Sequence, residues 1–373
     1  MKPARVRHVV VVGSGVAGAS TAFALARRDV AVTVVHDDRS GIATAAGAGI
    51  VQPWSSPSTG PYYELYAAGA AHYPTLLQQL ATVGVHDVDF RRTGSLVVGR
   101  DRDELDAAEE RVRERTDGTA AGDGVTRFGA TEARRLFPPL AEGLAALHVP
   151  SGARVDGRSL RAGLLDGARR LGAHLLPGTA ELTADGRVRA DGARVAADAV
   201  VVAAGAWTPR LLQPLGIGLG LAPQRGQITH LRLAGVDTSG WPSVLPSTGH
   251  YLVAFDGGRV VAGATRETGS GFDPRVTAEG QREVLEQALA LAPGLRDATV
   301  LETRVGLRPV ADAGHPLIGP LAGLPGLWVN TGFGAGGLTM GPLAGELLAD
   351  LVLGRAPAVD LSPFAPDAGL SST

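Results

Sequence analysis

Short β-branched runs recur along this chain, each followed by a glycine turn and then by a stretch of helical period. Residues 9–12 are four valines; Gly13, Gly15 and Gly18 follow at once, then a helix-like stretch to residue 28 and a second apolar run at 31–35. Strand, turn, helix, strand is the order of a parallel βαβ unit, because parallel strands need a crossover and a helix supplies it. Further short apolar runs at 200–203 and 327–331 read as buried strands. Residues 226–233, 250–255 and 259–264 read as successive strands of a mostly antiparallel sheet, with strands also at 93–99 and 301–307. Helices are expected at 62–80, 101–115, 155–171, 277–291 and 341–353. A shorter one at 131–137 has Thr131 as its cap and Pro138 and Pro139 as its stop. Parallel-type units lie at both ends and in the middle. The expected architecture is therefore an α/β chain with a Rossmann-like domain (1–83, 149–218 and 304–373) interrupted twice by a second domain (84–148 and 219–303) built on a mostly antiparallel sheet.

Composition narrows the chemistry. The chain has 373 residues, 45% hydrophobic and 19% charged, with net charge −2, which excludes a strongly basic nucleic-acid binder and a disordered acidic chain. Cysteine is absent, so disulfides, thiolate metal centres, a cysteine nucleophile and a flavin attached through a cysteine sulfur are excluded. His8, His72, His148, His174, His230, His250 and His315 show no metal-ligand spacing. Lys2, Arg5 and Arg7 before the uncharged residues 9–26 imitate a signal peptide. Three glycines within six residues fit a folded turn better than a membrane helix. The expectation is a soluble cytoplasmic protein with no cleaved leader, no integral membrane segment and no nucleic-acid partner.

Gly13-Ser14-Gly15-Val16-Ala17-Gly18 follows a strand and opens a helix. In that context the first glycine makes the tight turn, the second admits a pyrophosphate and the third lets helix and strand pack closely. The helix N-terminus offers N–H groups and the positive end of its dipole. At the end of the second strand, either His36 or Asp37 takes the ribose role, or both face solvent. The motif alone does not separate FAD from NAD.

The order and spacing of eight segments go further: GSGVAG (13–18), AAGAGIVQPW (45–54), VVVAAGAWTPRL (200–211), PQRGQI (223–228), YLV (251–253), RVVAGATRETGSGFD (259–273), GLRPVADAGHPLIG (306–319) and NTGFGAGGLTMGP (330–342). Over nearly its whole length the chain resembles the D-amino-acid oxidase superfamily of FAD enzymes, most closely the glycine oxidase and D-amino-acid oxidase branches. The resemblance implies non-covalent FAD held by Gly13, Gly15, Val16, Ala17 and Gly18. It brings Ala45, Ala46, Gly47, Ala48, Gly49 and Ile50 past the flavin, with Gly205 and Trp207 approaching from the sheet side. Gly334, Gly336, Gly337, Leu338 and Thr339 then lie by the flavin ring, at the start of the last helix.

The same resemblance makes Arg308 the partner of the substrate carboxylate, beside the flavin, and makes Tyr251 a pocket residue; these two are the catalytic candidates. A guanidinium is planar and permanently charged, so it fixes a carboxylate by two parallel hydrogen bonds where a lysine fixes only its position. Gln52 and Trp54 stand near the pocket in the matching segment, and Ala335 stands where glycine oxidases carry a second arginine. His250 is expected on the opposite face from Tyr251. The implied reaction is oxidation of a small amino acid or secondary amine by hydride transfer from its α-carbon to flavin N5. The imine hydrolyses, and oxygen reoxidises the flavin to give peroxide. The alternative is a dehydrogenase passing electrons to a quinone or protein acceptor. A nicotinamide enzyme and a non-catalytic flavin-binding protein are the remaining readings.

Overall fold

In the computed structural model, which describes residues 6–366, a six-stranded sheet runs in the order Leu317–Pro320, Leu327–Thr331, Ala199–Val202, His8–Val12, Ala31–His36 and His174–Pro177. All neighbours in it are parallel except the first pair. The four valines form its centre and are buried on both faces, which explains an unbroken apolar run in place of alternation. The helix Val16–Ala26 is buried along its entire length. It packs between the helices Gly157–Arg170 and Gly337–Val352. Small residues permit this: a Cβ on Gly345 would fall 2.6 Å from the Cβ of Ser20. Asp156 starts the helix Gly157–Arg170, its carboxylate accepting from the N–H groups of Arg158 and Ser159 at 2.9 and 3.1 Å. Among the described residues no helix is long and apolar enough to cross a membrane.

A nine-stranded sheet forms the second layer. It is mostly antiparallel, as expected, with one parallel pair, Ser243–Pro246 beside Ser95–Gly99. These strands come from the two separate insertions, so no hairpin obliges them to run in opposite directions. The strands Leu221–Arg232 and Thr299–Ala311 pair along their whole length, longer than the alternation at 226–233 and 301–307 suggests. Each carries a proline, and the two face each other, Pro223 opposite Pro309. The Pro309 carbonyl accepts instead from the N–H of Gly334 at 2.9 Å. A non-hydrogen-bonded pair asks for no N–H, so both strands pass through their prolines without breaking the ladder. The boundary expected at residue 304 falls inside this strand. The helix Ala278–Leu291, capped by Thr277, covers the outer face of the sheet. The helix expected at 131–137 runs Ala130–Leu136, with Gly129 rather than Thr131 at its N-cap.

Candidate active site

A cavity of about 790 Å³ lies between the two sheets, near the upper end of the range for small-molecule sites. One end is made mostly of main chain. The N-terminus of the helix Val16–Ala26 opens on it with no capping side chain from Gly15, although the Val16 N–H donates to Thr44 Oγ1 at 2.9 Å. The N-terminus of the helix Gly337–Val352, also without a side-chain cap, meets the same cavity through Gly337 and Leu338. Two uncapped helix starts facing one space suit negatively charged groups.

The glycines are not interchangeable. Gly13 has φ of 105°, and a Cβ there would lie 2.5 Å from the Ala203 carbonyl oxygen. A Cβ on Gly18 would lie 2.0 Å from the Gly13 carbonyl oxygen, so Gly18 serves packing and does not line the cavity. Gly15 lines it and has ordinary backbone angles. At the strand end, His36 and Asp37 both face the cavity. Asp37 is held by both arms of Arg39, one bond measuring 2.7 Å. His36 Nδ1 is buried with no hydrogen-bond partner, and so is Oδ1 of Asn330, another lining residue. Such orphaned atoms are what a polar ligand would satisfy.

Residues 42–50 thread between the domains. Ala46, Gly47, Ala48, Gly49 and Ile50 line the cavity; Ala45 does not, its carbonyl accepting from Arg158 at 3.2 Å. The smallness of this run answers to the protein itself: a Cβ on Gly47 would meet Leu338 at 2.7 Å, and one on Gly49 would meet the Val155 carbonyl oxygen at 1.7 Å. Gly205, Trp207, Gly334, Gly337 and Leu338 line the wall, whereas Gly336 and Thr339 stand behind it. Gly336 is packed against Met340 and Tyr62, and the Thr339 hydroxyl donates to the Ile50 carbonyl at 3.1 Å.

The other end is made of side chains on the large sheet. Arg308 lies flat across Gly226, where a Cβ would fall 2.4 Å from both terminal nitrogens. Gly226 is the diagonal cross-strand neighbour of Arg308, on the same face. One guanidinium arm donates to the Thr265 carbonyl at 2.9 Å. Tyr251 stands beside the guanidinium, its hydroxyl over Gly263, where a Cβ would fall 3.0 Å from it. Burial lowers Arg308 from its usual value, and it pushes the Tyr251 phenol up. The result is a fixed cation beside a phenol that stays protonated, with glycines as the floor. His250, the preceding residue, faces Glu283 on the outer helix at 3.3 Å.

Gln52 lines the cavity, while Trp54 packs into the apolar cores. Ala335 lines it too. Sequence reasoning also missed Arg266, Tyr66 and residues 178–182, all of which line the cavity. Tyr66 had a usable signal, since Tyr62 and Tyr66 are one helical turn apart and so share a face. Residues 178–182 had none, because they reach the cavity only through the pairing of His174–Pro177 with the second strand.

The FAD dependent oxidoreductase family (DAO) matches residues 8–351. The crystal structure of iminodiacetate oxidase (IdaA) from Chelativorans sp. BNC1 is 47% identical with a TM-score of 0.93, covering 96% of this chain and 98% of that one. Among curated relatives, the uncharacterized oxidoreductase YurR of Bacillus subtilis is 44% identical over 98% of this chain and 100% of its own. A glycine oxidase of Pseudomonas aeruginosa is 34% identical over 96% of this chain and 98% of its own. The cavity fits a dinucleotide, with a glycine cradle at a helix start and unpartnered polar atoms along the wall. The chain belongs to the DAO family of FAD-dependent oxidoreductases, and the relatives it matches over nearly their whole length include a glycine oxidase and an iminodiacetate oxidase.

Proposed function

We propose that this enzyme oxidises the C–N bond of a small amino acid or secondary amine whose carboxylate is bound by Arg308, with oxygen as the final electron acceptor. The observation that carries this is the Arg308 guanidinium, laid over Gly226 and tied at one arm to the Thr265 carbonyl, with its remaining donors in the cavity that holds the cofactor cradle. FAD, when bound, supplies the two-electron acceptor. Gly13, Gly15, Val16 and Ala17 would hold its pyrophosphate, and His36, whose Nδ1 lacks a partner, would meet its ribose more readily than Asp37, which Arg39 already occupies. The start of the helix Gly337–Val352 would stabilise negative charge on the reduced ring.

The protein's own part is orientation. Arg308 fixes the carboxylate by a charge-assisted pair and so fixes the neighbouring α-carbon. Tyr251 adds a hydrogen bond and closes the wall. The oxidised product is an imine, which water hydrolyses to an oxo acid and ammonia or an amine. The test is a peroxide-coupled assay of the yellow holoenzyme with glycine, sarcosine, iminodiacetate and D-amino acids. Turnover with peroxide formed in equal amount to amine consumed is expected. Turnover only with an added dye acceptor would replace oxygen by another acceptor, and no turnover of any carboxylated amine would refute the reading.

A further inference from the structure

The Thr265 carbonyl that holds Arg308 stands at a break in the large sheet. The strand Arg259–Gly263 pairs with the strand Leu221–Arg232 as far as Gly263, opposite Ile228. Pairing resumes at Glu267, opposite Arg225. Between the two, Ala264, Thr265 and Arg266 face only Gly226 and Gln227, one residue too many for a regular ladder. A bulge of this kind turns main-chain groups out of the ladder. The Thr265 N–H keeps its place, donating to the Gln227 carbonyl at 3.3 Å. The Gln227 N–H, which a regular antiparallel pair would satisfy with a main-chain carbonyl, donates instead to Thr265 Oγ1 at 2.9 Å. The hydroxyl stands in for the carbonyl. Among the described residues the Thr265 carbonyl accepts from Arg308 alone.

The hydroxyl is fixed from its other side as well. Thr265 is fully buried, and its own proton goes to Glu267 Oε1 at 2.7 Å. That oxygen also accepts from Gln227 Nε2 at 2.7 Å, while Glu267 Oε2 is held by Arg225 at 2.6 Å. The Gln227 amide reaches on to Thr277, the cap of the outer helix, donating to its Oγ1 at 2.8 Å and accepting from its N–H at 3.1 Å. A buried polar network with its members satisfied is rigid. Its centre asks for a short side chain that accepts and donates at once, which is what a hydroxyl supplies.

We propose that Thr265 is a positioning residue for the carboxylate-binding arginine: its hydroxyl takes its carbonyl's place in the sheet, and the released carbonyl sets the angle at which Arg308 presents its fork. The proposal rests on Arg308 binding the substrate carboxylate. Without the hydroxyl the buried Gln227 N–H needs another acceptor. The carbonyl of the same residue can serve only by leaving Arg308, which then keeps its charge and loses its tether.

The test sets Thr265→Val, which keeps the branched shape, against Thr265→Ser, which keeps the hydroxyl, with Thr265→Ala as a second variant lacking it. Butyrate, an unreactive acid, is titrated into each holoenzyme and its binding read from the absorbance of the bound flavin. Thr265→Val and Thr265→Ala should weaken butyrate about two- to tenfold, the scale of one hydrogen bond, and Thr265→Ser should stay near wild type. The second measurement is a double-mutant cycle with Arg308→Ala, on kcat/KM for the carboxylated amine that turns over fastest. Thr265→Val should lower kcat/KM in the wild type and hardly at all in Arg308→Ala, because it acts through the arginine. A loss of equal size in both backgrounds, a serine variant as weak as valine, or failure of both variants without the hydroxyl to fold marks Thr265 as structural and overturns the proposal. Butyrate bound normally by Thr265→Val but lost in Arg308→Ala overturns the proposal and leaves Arg308 as the carboxylate partner. Butyrate bound normally by Arg308→Ala sinks that reading of Arg308, and the proposal with it.

Discussion

At the glycine-loop end of the cavity the wall is main chain, and at the Arg308 end it is side chain. The first is drawn from one continuous segment, Val12 to Ala17, with small residues brought against it from 42–50. The second gathers Tyr251, Arg266 and Arg308 from three separate segments. Main chain offers N–H groups at fixed spacing, and it does so only where no Cβ intrudes. Side chains offer charge and shape that a single substitution can alter. The cofactor end should therefore fail in an all-or-none way, and the substrate end by degrees.

The sharpest test of that contrast lies within the loop itself. Gly18→Ala puts a methyl group 2.0 Å from a main-chain oxygen that no rotamer can move. Overpacking of this kind costs about 1–3 kcal/mol or more, so both Tm and FAD content should fall. Gly15→Val behaves differently. Its backbone angles suit any residue, and its Cβ meets only Thr44 Oγ1, at 3.3 Å. The apoprotein should keep its Tm while binding of added FAD is lost. Thermal melts with and without FAD, read beside the flavin absorbance, separate the two. A Gly15→Val protein with full FAD content would show that the pyrophosphate does not lie against this loop.

At the substrate end the largest effect belongs to Arg308→Ala. It removes a charged, partly desolvated partner of the substrate carboxylate and should cost about 2–5 kcal/mol of transition-state stabilisation. FAD content and Tm should stay near wild type, because the guanidinium is tied to the protein only at the Thr265 carbonyl and the neighbouring Tyr251 phenol. Arg308→Lys should recover only part of the loss, keeping charge without the fork. The control is a simple amine with no carboxylate, whose slow oxidation should fall much less. Equal losses for both amines would mark Arg308 as structural.

The same contrast explains what could be read without coordinates. The βαβ unit is legible because its strand, turn and helix are contiguous and each obeys a local rule. The glycine run at 45–49 was legible as a segment but not in its cause, since the space it gives up is taken by Leu338 and Val155 as well as by any ligand. The long strand pair extends beyond residues 226–233 and 301–307 through Pro223 and Pro309, and only the pairing of the two prolines, which no local pattern shows, makes them compatible with a ladder. Arg308 and Tyr251 came from resemblance, not from local pattern. Arg266 sits inside one of the quoted segments, yet alternation along a strand does not tell which arginine lacks a carboxylate. That depends on Glu267 and Asp273 being committed to Arg225.

The smallest expected effect is that of Tyr251→Phe. The phenol sits beside the Arg308 guanidinium, over Gly263, and its ring helps to close the cavity. Burial raises it above its ordinary value, although the nearby arginine charges act in the opposite direction. It is therefore protonated and uncharged throughout the neutral range, so it can donate a hydrogen bond but cannot serve as a base there. Phenylalanine keeps the ring and removes only the hydroxyl, a loss of about 0.5–1.5 kcal/mol, or roughly two- to tenfold in kcat/KM. The shape of the pH profile should not change, because no group titrating in that range has been removed. Measuring kcat/KM against pH for both proteins checks this directly. A basic limb present in the wild type and missing from Tyr251→Phe would mean that the phenol ionises during turnover, and the substrate end would then hold an acid–base group as well as an anchor.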